Sequence, residues 1–443
     1  MQLSLDEIYN IFISSTGISI DSRSTKNGQI FIAIKGENND GNAYVEDALN
    51  NGAKYCITNR NELSDDSRCI IVADTYQTLV DLAKIHRDHF SIPVLAITGS
   101  NGKTTSKELI AKVLSTQYNV LYTEGNLNNE LGLPLTILKL NTTHEIAVVE
   151  MGAAKLGDIN FLCEIAKPTH GLITTIGRAH IGRFGSFENI IKAKTELFDF
   201  LKKHNGLAFI NEDDPILKPF AHSLNTIFYG RNNPNTQVSN VSALPFLSFE
   251  WNYSDKNYRI ETHLFGDYNL VHTLAAISIG LYFNISPENI VKAITEYIPT
   301  NSRSQIIYND KNIIIMDAYN ANPTSMEAAL INFFSIPLDF FDNKNTTIKP
   351  KKRATILGEM MELGEYAHDE HKNILNLIKS YNPDIAIFVG ENFYQFKENF
   401  PQFQFLPNTI ELINFILNNP LNEYLILVKG SRANALEKIL PLL

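Results

Sequence analysis

A glycine-rich segment at residues 99–105, GSNGKTT, constrains the fold of this chain more than any other feature. It follows an apolar, β-branched run, VLAIT, and precedes SKELIAKVL, whose apolar residues recur at helical spacing. A strand, a tight loop and a helix in this order are typical of the ligand-binding edge of a parallel α/β sheet. Backbone N–H groups of such a loop, together with the helix N-terminus, bind phosphate oxygens. The segment therefore predicts a phosphate-binding α/β unit.

The loop and the residues after it supply the candidate phosphate ligands Gly99, Ser100, Asn101, Gly102, Lys103, Thr104 and Thr105. A lysine at the end of such a loop reaches the β- and γ-phosphates of a nucleotide, and the hydroxyl after it ligates Mg²⁺. These roles fall to Lys103 and Thr104. The spacing GxxGKT is shorter than the usual P-loop pattern GxxxxGKT, so a glycine-rich turn without a ligand is the alternative interpretation. The flanking strand and helix favour phosphate binding.

The pattern of apolar runs divides the chain into three predicted α/β domains. Its 443 residues fit this number, since a domain contains about 150 residues. Proline disfavours helix at the residue before it, so boundaries are predicted near Ser91-Ile92-Pro93 and Ile298-Pro299-Thr300-Asn301. The predicted domains span residues 1–90, 91–299 and 300–443.

Each predicted domain has its own architecture. The first alternates short strands with helices and is expected to be a small α/β domain. The second carries the runs VLAIT, EIAVVEMG, HGLITTIG and GLAFINEDD, which predict a doubly wound, largely parallel sheet with an antiparallel excursion near residues 236–263. The third carries IIIMDAY, RATILGEM, IAIFVG and YLILVKGS, which predict another doubly wound sheet. The polar stretch DFFDNKNTTIKPKKR is predicted to be a solvated loop.

Composition excludes several classes of partner. The chain has 38 basic and 48 acidic residues, a formal charge of −10, which argues against a broad nucleic-acid or anionic-membrane surface. The start of the chain has acidic residues where a signal peptide would have basic ones, and no apolar run reaches the roughly 18 residues of a membrane helix. Cys56, Cys69 and Cys163 lie far apart and are expected to be reduced thiols. A cytoplasmic protein without membrane insertion, and a monomer by default, is therefore expected.

Three residues of the second domain are candidates for chemistry. Glu150 ends the run EIAVV and His180 follows LITTI, so both are expected at the carboxyl edge of the sheet, where ligands bind. A surface glutamate and a structural histidine are the alternative interpretations. Lys194 lies on the predicted helix SFENIIKAKTELFDFL, where a solvated lysine is the default interpretation.

The third domain carries one candidate loop. DAYNANP, residues 317–323, follows the strand IIIM. Its Asn and Pro residues favour a turn, so turn chemistry alone accounts for the pattern. A loop that reaches toward a nucleotide is the functional interpretation. Arg303, just past the second boundary, is either a solvated linker residue or a planar guanidinium for a phosphate.

With these residues assembled, the chain resembles the Mur ligase family over nearly its whole length. The segments that carry the resemblance are QIFIAIKGENNDGNAYVEDALNNGA, ITGSNGKTT, TEGNLNNELGLPLTIL, AVVEMGA, AHIGRFGS and KAKTELF. DAYNANP, LGEM-x-ELG and KGSR complete it and are similar to the MurF branch of that family. Arg178 and Gly182 depart from the family, in which acidic residues are common at these positions.

The resemblance implies three domains: a small N-terminal α/β domain that binds a UDP-sugar peptide, a central P-loop-type parallel-sheet ATPase domain and a C-terminal Rossmann-like domain. It implies an ATP-dependent amide ligase that joins D-alanyl-D-alanine to UDP-N-acetylmuramoyl-tripeptide through an acyl phosphate. Two Mg²⁺ ions are expected beside ATP. Whether the third residue of the tripeptide is meso-diaminopimelate or lysine is not readable from the chain.

The resemblance also assigns residues by motif. Lys103, Glu150, His180, Lys194 and Arg303 are the expected catalytic residues, with Thr104, Glu150, His180 and Lys194 around the metal. Lys194 matches the lysine that the family carries as a carbamate, although the nearby Lys192 is an alternative. Asn269 and His272 fall where the family contacts adenine, and Arg303 and Asp317 align with its nucleotide contacts in the third domain. The expected substrate-binding residues are Ser22, Arg23, Asn126, Asn128, Tyr319, Asn320 and Asn322.

Other functions compete with this interpretation. A different amide ligase, such as MurE or folylpolyglutamate synthase, would share the ATP loop, but YNANP and LGEM-x-ELG argue against both. A non-catalytic nucleotide-binding module would keep the loop and lose Glu150, His180 and Lys194, which are all present. A P-loop kinase would leave the two flanking domains unexplained.

Overall fold

The computed structural model of the protein describes residues 3–36, 39–299, 303–343 and 348–443. The strands are β1 (Ile18–Ser19), β2 (Ile30–Ile32), β3 (Tyr55–Thr58), β4 (Cys69–Ile71), β5 (Val94–Thr98), β6 (Val120–Tyr122), β7 (Ile146–Glu150), β8 (His170–Ile173), β9 (Leu207–Asn211), β10 (Asn225–Tyr229), β11 (Val238–Ser242), β12 (Phe246–Tyr253), β13 (Lys256–Phe265), β14 (Gln305–Tyr308), β15 (Ile313–Asp317), β16 (Lys352–Gly358), β17 (Ile385–Val389), β18 (Gln404–Leu406) and β19 (Tyr424–Lys429).

The helices connect these strands in the α/β pattern expected from the sequence. They are α1 (Leu5–Ile13), α2 (Val45–Asn50), α3 (Thr75–Asp88), α4 (Lys103–Leu114), α5 (Gly132–Ile137), α6 (Asp158–Ala166), α7 (Ile181–Phe184), α8 (Phe187–Lys203), α9 (Leu270–Tyr282), α10 (Pro287–Thr295), α11 (Pro323–Ser335), α12 (Ala367–Tyr381), α13 (Glu391–Tyr394) and α14 (Thr409–Asn418). Among the residues described above, no helix is both long and apolar enough to cross a membrane.

The first sheet is small and parallel, with strand order β1-β2-β3-β4. Helix α1 begins at a capping box, in which Ser4 accepts from the N–H of Glu7 and the Glu7 carboxylate accepts from the N–H of Ser4. The apolar residues at helical spacing, Ile8, Tyr9 and Phe12, are buried. Helix α3 packs on α1 and also on α5 and α6 of the next unit, so one core joins the first unit to the second.

The second sheet contains six parallel strands in the order β10-β9-β8-β5-β7-β6. Strand β5 is central and buried at every position, as its apolar run predicted. Strands on both sides of β5 come later in the chain, so the strand order reverses there. In an open α/β sheet the crevice at such a switch point is where ligands bind. The expected antiparallel excursion is present as the sheet β11-β12-β13.

The third sheet contains six strands in the order β14-β15-β19-β16-β17-β18. All neighbours are parallel except β14, which runs antiparallel to β15 at the edge. The apolar runs of the sequence correspond to β15, β16, β17 and β19. The sequence did not predict the edge strands β1, β6, β10, β14 and β18, since edge strands are exposed on one side and need no continuous apolar run. The prediction of three α/β units is confirmed.

One loop prediction is wrong in part. The stretch DFFDNKNTTIKPKKR begins inside a 3-10 helix, Leu338–Asn343, and ends inside strand β16. Phe341 is fully buried, in the core that α11 and α12 build against the third sheet. Burial of the aromatic residues therefore determines the structure at the start of this stretch, in spite of its charged residues. Residues 344–347, and Thr300 and Asn301 of the predicted second boundary, lie outside the described residues, and the three domain boundaries stay predictions.

Candidate functional site

A cavity of about 1190 Å³ lies where the carboxyl ends of the second and third sheets face each other. The site residues predicted from the sequence that form its walls are Ser100, Asn101, Gly102, Lys103, Thr104, Thr105, Asn126, Asn128, Glu150, His180, Asn269, His272, Arg303, Asp317, Tyr319, Asn320 and Asn322. Residues far apart in sequence thus meet in one place, because both sheets present strand ends to it. The walls do not include Gly99, Lys194, Ser22 or Arg23.

The glycine-rich loop is held in a single shape by its own contacts. Helix α4 begins at Lys103 rather than after the threonines, so Lys103 and Thr104 belong to its first turn. Gly102 has a φ of 75°, and a Cβ there would lie 1.9 Å from Cε1 of His272. Glycine is therefore required for both the backbone conformation and the approach of the imidazole. The Ser100 hydroxyl donates to the carbonyl of Gly177 over 2.9 Å, which joins the loop to the segment that follows β8.

Lys103 caps this loop from inside. Its Nζ donates to the carbonyl oxygens of Gly99 at 2.7 Å and of Ser100 at 3.4 Å. Burial lowers the pKa of the amine, and the positive charge of Arg303 lowers it further, while Glu150 opposes both effects. Gly99 is not part of the cavity wall, and its carbonyl binds the Lys103 amine instead. A bound phosphate would offer this cation a stronger partner than two neutral carbonyls.

Glu150 stands at the end of β7 with a defined orientation. The side chain is buried, with 2% of its area exposed. The Thr104 hydroxyl donates to Oε2 over 2.8 Å, and Nδ2 of Asn128 donates to Oε1 over 2.7 Å. Across the described part of the chain there is no group of three or more His, Cys, Asp or Glu side chains that could hold a metal ion. Mg²⁺ usually takes one or two carboxylates and completes its shell with water and substrate phosphates, so this sparse set fits magnesium.

His180 precedes α7 in the left-handed conformation, with a φ of 56°. Its Nδ1 contacts the carboxylate of Glu362, which comes from the third unit. Arg183 reaches the other oxygen of Glu362 at 2.7 Å. These two partners hold the pKa of Glu362 below its usual range, the histidine contributing most. A carboxylate on one ring nitrogen orients an imidazole for a metal on the other, and Nε2 has no hydrogen-bond partner among the described residues.

Lys194 lies behind the cavity wall, on α8. Only 2% of its area is exposed, and Nζ is 5.6 Å from the centroid of the Phe184 ring. Burial lowers the pKa of this amine to about 7, with a further contribution from the charge of Lys103. Much of the amine is therefore neutral near pH 7. The alternative, Lys192, is exposed, so the geometry favours Lys194.

Asn269 and His272 line the cavity beside the glycine-rich loop. Nδ2 of Asn269 donates to the carbonyl of Phe265 over 2.7 Å. Nδ1 of His272 is 3.1 Å from the Ser106 hydroxyl, and burial lowers the pKa of this imidazole to about 4. His272 is therefore neutral near pH 7 and offers a flat, uncharged ring against Gly102.

The DAYNANP loop completes the opposite wall. The Asp317 carboxylate binds Nζ of Lys429 at 2.6 Å and accepts from the N–H of Ser304 over 3.1 Å. Nδ2 of Asn322 donates to Oδ1 of Asn101 over 2.6 Å, which joins this loop to the glycine-rich loop. The guanidinium of Arg303 stacks on Tyr319, 3.7 Å from the ring centroid. The two loops thus form one continuous polar surface.

Two predicted substrate residues lie away from the cavity. Ser22 is buried in a 3-10 turn of the first unit, whereas Arg23 is exposed and pairs with Asp21 at 2.7 Å. Sequence reasoning also missed residues that build the site, among them Tyr268, Lys429 and Glu362. The position of Lys429 at the end of an apolar run was a usable signal. The contact of Glu362 with His180 was not predictable, because it joins positions 182 residues apart.

Comparison with known proteins agrees with this architecture. The chain matches the family models "Mur ligase family, catalytic domain" over residues 14–90, "Mur ligase middle domain" over 97–280 and "Mur ligase, glutamate ligase domain" over 302–432. The UDP-N-acetylmuramoyl-tripeptide–D-alanyl-D-alanine ligase of Bacillus subtilis (strain 168) is 34% identical over 435 residues, covering 96% of this chain and 92% of the relative. The enzyme of the same name from Escherichia coli (strain K12) is 28% identical and covers 98% and 94%.

Comparison with solved structures supports the same family assignment. A crystal structure of MurF from Acinetobacter baumannii has a TM-score of 0.81 and 27% identity, covering all of this chain and 98% of that one. MurF from Thermotoga maritima in complex with ADP has a TM-score of 0.80 and 25% identity, covering 97% of both chains. Because the match extends through all three family models and nearly the full length of the relatives, the chain belongs to the Mur ligase family, as a MurF-type ligase.

Proposed function

We propose that this protein is the ATP-dependent ligase that joins D-alanyl-D-alanine to UDP-N-acetylmuramoyl-tripeptide, a step in the synthesis of peptidoglycan precursors. The observation that carries the proposal is the meeting of the glycine-rich loop and the DAYNANP loop at one cavity, through the hydrogen bond between Asn322 and Asn101. The names of the relatives from Bacillus subtilis and Escherichia coli supply the substrates. The ADP complex of the Thermotoga maritima relative supports nucleotide binding.

The three predicted domains divide the work in this proposal. Residues 1–90 bind the UDP-muramoyl peptide, residues 91–299 bind ATP, and residues 300–443 form a Rossmann-like ligase domain whose DAYNANP loop faces the ATP site. Ser22 and Arg23 contact the UDP-muramoyl group, and their distance from the cavity suits a long substrate whose far end alone reaches the phosphates. The residues assigned to contact the peptide substrates inside the cavity are Asn126, Asn128, Tyr319, Asn320 and Asn322.

The reaction couples two bond-forming steps. The terminal carboxylate of the tripeptide attacks the γ-phosphorus of ATP, and the bond to the leaving ADP breaks, which gives an acyl phosphate. The amine of the dipeptide then attacks the acyl carbon. The tetrahedral intermediate expels inorganic phosphate, and the amine nitrogen loses a proton. Anions crowd together throughout, so preorganised cations and N–H donors supply most of the catalysis.

The residues of this chain fit those needs. Lys103 and the first-turn N–H groups of α4 hold the terminal phosphates, since the amine already points into the loop. Arg303 adds a second cation from the third domain. Neutral His272 and the oriented amide of Asn269 contact the adenine. Asp317 pairs with Lys429 and receives the N–H of Ser304, so it orders the segment that carries Arg303.

Magnesium fits the carboxyl edge of the second sheet. Thr104, Glu150 and His180, with a carbamylated Lys194, would hold two Mg²⁺ ions, which supply neutralisation of the phosphate charge when bound. For the carbamate, the neutral Lys194 amine forms an N–C bond to CO₂ and releases one proton. The carbamate would replace a cationic ammonium, which would repel the metal, with a carboxylate that can serve as a ligand.

Phosphate release tests the function. The full-length protein is incubated with ATP, Mg²⁺, the UDP-muramoyl-tripeptide in its diaminopimelate or lysine form, and one amine at a time. The proposal requires release that depends on both tripeptide and D-alanyl-D-alanine, with a pentapeptide product by mass. Release with a single amino acid would assign the chain to another branch, such as MurE or folylpolyglutamate synthase. ATP binding without release would indicate a non-catalytic module.

The setting of the reaction is part of the proposal. The substrates are water-soluble nucleotides and peptides, so we infer a cytoplasmic enzyme without nucleic-acid partners. All the predicted site residues come from one chain, and a monomer suffices for the reaction. Light scattering of the purified protein tests this, and a concentration-independent dimer mass would contradict it.

A further inference from the structure

We propose that Arg432 binds the free carboxylate of the amine substrate, at the rim of the cavity beside Tyr319. The inference rests on the proposed function, in which the amine comes from a dipeptide with a free carboxyl terminus. Arg432 belongs to the KGSR segment, which resembled the family but received no role from the reaction. It extends the site by one residue and gives a physical reason why the substrate is a dipeptide.

The strands of the third sheet bring the two relevant loops together. β15 ends at Asp317 and β19 ends at Lys429, and these two residues are directly opposite in parallel register. Nζ of Lys429 binds the Asp317 carboxylate at 2.6 Å and the carbonyl of Asn320 at 3.3 Å. The segment after β19 is therefore anchored against the segment that carries Tyr319.

The residues around Arg432 hold its backbone firmly. Ser431 is buried, with 3% of its area exposed, and its hydroxyl accepts from the N–H of Met361 over 3.1 Å. Its carbonyl accepts from the N–H of Asn434 over 2.9 Å, which closes the short 3-10 helix that begins at Arg432. A fixed backbone limits where the guanidinium can go.

The guanidinium itself is available for a ligand. Its Cζ is 5.4 Å from the centroid of the Tyr319 ring, within the distance of a cation–π contact. Arg432 is exposed, and over the described residues its side chain makes no ion pair and no hydrogen bond. Tyr319 forms part of the cavity wall, so an anion that leaves the cavity past Tyr319 meets this arginine.

Several other cations near the cavity already have partners, and the exposed Lys155 lies on the wall that the second unit forms, away from Tyr319 in the chain. Lys429 is paired with Asp317, and Arg183 is paired with Glu362 at 2.7 Å. Arg303 also lies on Tyr319, but its charge acts on Lys103, so it belongs to the phosphate side. Among the described residues of the third unit beside Tyr319, Arg432 is therefore the cation available for a carboxylate that must stay away from the triphosphate.

Substrate length agrees with this position. An extended dipeptide spans about 7 Å from amine to carboxylate, whereas one amino acid is shorter by about 3.5 Å. With the amine at the acyl phosphate inside the cavity, a cation at the rim meets the carboxylate of the longer molecule. A planar guanidinium matches a carboxylate through two parallel hydrogen bonds, which a lysine cannot reproduce.

The test compares two acceptors that differ only in charge: D-alanyl-D-alanine and D-alanyl-D-alaninamide. Steady-state ligation is measured for the full-length protein and for Arg432→Met with saturating ATP and tripeptide. We expect wild type to prefer the acid, and Arg432→Met to lose about 10- to 100-fold in kcat/KM for the acid and little for the amide, as for a lost charge-assisted bidentate pair. Arg432→Lys should recover only part of the loss.

The exposed Arg259, on β13, provides the matched control, and Arg259→Met should leave both acceptors unchanged. Equal loss for acid and amide, an unchanged Arg432→Met, or a raised KM for ATP would overturn the assignment of Arg432. No ligation of D-alanyl-D-alanine by wild type would overturn the proposed function and this inference together. Failure of the Arg432 assignment can therefore be distinguished from failure of the proposed function.

Discussion

Gly102 shows how much one residue decides at the glycine-rich loop. Its φ of 75° is unfavourable for any residue with a Cβ, at a cost of about 1–2 kcal/mol. The space is closed as well, because the His272 ring lies where the Cβ would be. We predict that Gly102→Ala destabilises the fold by more than the backbone cost and weakens ATP binding by about tenfold or more. Urea unfolding and calorimetric titration with ATP measure the two effects.

Gly185 allows the two costs to be separated. It has a φ of 77°, close to that of Gly102, but a Cβ there meets no atom within 4 Å. Gly185→Ala should therefore be destabilised only by the backbone cost of its positive φ, and the variant should keep its affinity for ATP. Equal behaviour of the two variants would mean that the contact with His272 has no part in forming the loop.

Lys194 and Lys192 allow a second comparison, between a buried and an exposed residue of the same type. Lys194 is buried with a pKa of about 7, whereas Lys192, two residues earlier, is exposed. We predict that Lys194→Ala lowers turnover by about 100-fold or more, as for loss of a preorganised charge in a site of this kind. Formate or acetate should restore part of it by occupying the place of the carbamate. Lys192→Ala should keep normal turnover.

Labelled bicarbonate gives an independent measurement on the unmodified enzyme. A ¹³C carbamate resonance that disappears in Lys194→Ala and persists in Lys192→Ala is the expected result. Absence of both the resonance and the rescue by small carboxylates would contradict the carbamate. Normal turnover of Lys194→Ala would remove any role for this lysine.

Strand β8 carries a histidine whose surroundings favour the neutral ring. His170 lies among Phe209, Tyr282 and Phe283, with Nε2 3.0 Å from the Tyr282 hydroxyl. Burial lowers its pKa from 6.5 to about 4. Between these two values the unfolded chain binds the extra proton and the folded one does not, so stability falls as the pH drops from 6.5 toward 4. The largest contribution is about 3 kcal/mol.

We predict that His170→Phe flattens this acid slope. The variant loses the hydrogen bonds of the ring, about 1 kcal/mol each, and is less stable than wild type near pH 7.5. Its deficit should shrink or reverse at pH 5, since no proton is taken up there. Urea unfolding at both pH values gives the comparison. His204→Gln, at an exposed position, should keep the wild-type slope, and an identical slope in His170→Phe would refute the argument.

The elements differ in how far the sequence determines them. Buried central strands such as β5 are continuous apolar runs and were predictable from pattern alone. The strand β18, Gln404–Leu406, has only three residues, and its pairing with β17 depends on a long-range contact. The same contrast holds at the site. Glu150 was predictable as a strand end, whereas Glu362 reaches His180 from the other side of the cavity and leaves no local pattern.

At the scale of the molecule, the second and third units meet beside the cavity through a short segment before and within α7. The N–H of Gly182 donates to the carbonyl of Glu362 over 3.1 Å, and Arg178 pairs with Glu370 at 3.1 Å. These two contacts therefore join the segment around α7 to the third unit, at Glu362 and Glu370.

We predict that Gly182→Ala separates the two units. A Cβ on Gly182 would lie 2.4 Å from the backbone nitrogen of Gly364, a contact that backbone atoms on both sides cannot relieve by rotating a side chain. Ligation should fall about tenfold or more, because Arg303 and Asn322 reach the glycine-rich loop only when the units touch. Affinity for ATP should change less, since Lys103, Asn269 and His272 belong to the second unit. Small-angle scattering should show a larger radius of gyration.

Of the contacts made by Gly182 and Arg178, the one at Gly182 is expected to have the larger effect on ligation, so its substitution is the more decisive test. Arg178 is 62% exposed, and an exposed ion pair contributes only about 0.2–1 kcal/mol, so Arg178→Met should reduce ligation by no more than about fivefold. Gly36→Ala, where the nearest atom is 3.6 Å from the added Cβ and φ is ordinary, should leave both ligation and scattering unchanged. If Gly182→Ala kept the compact scattering profile and full ligation, contact between Gly182 and Gly364 would not be needed to bring the two loops together.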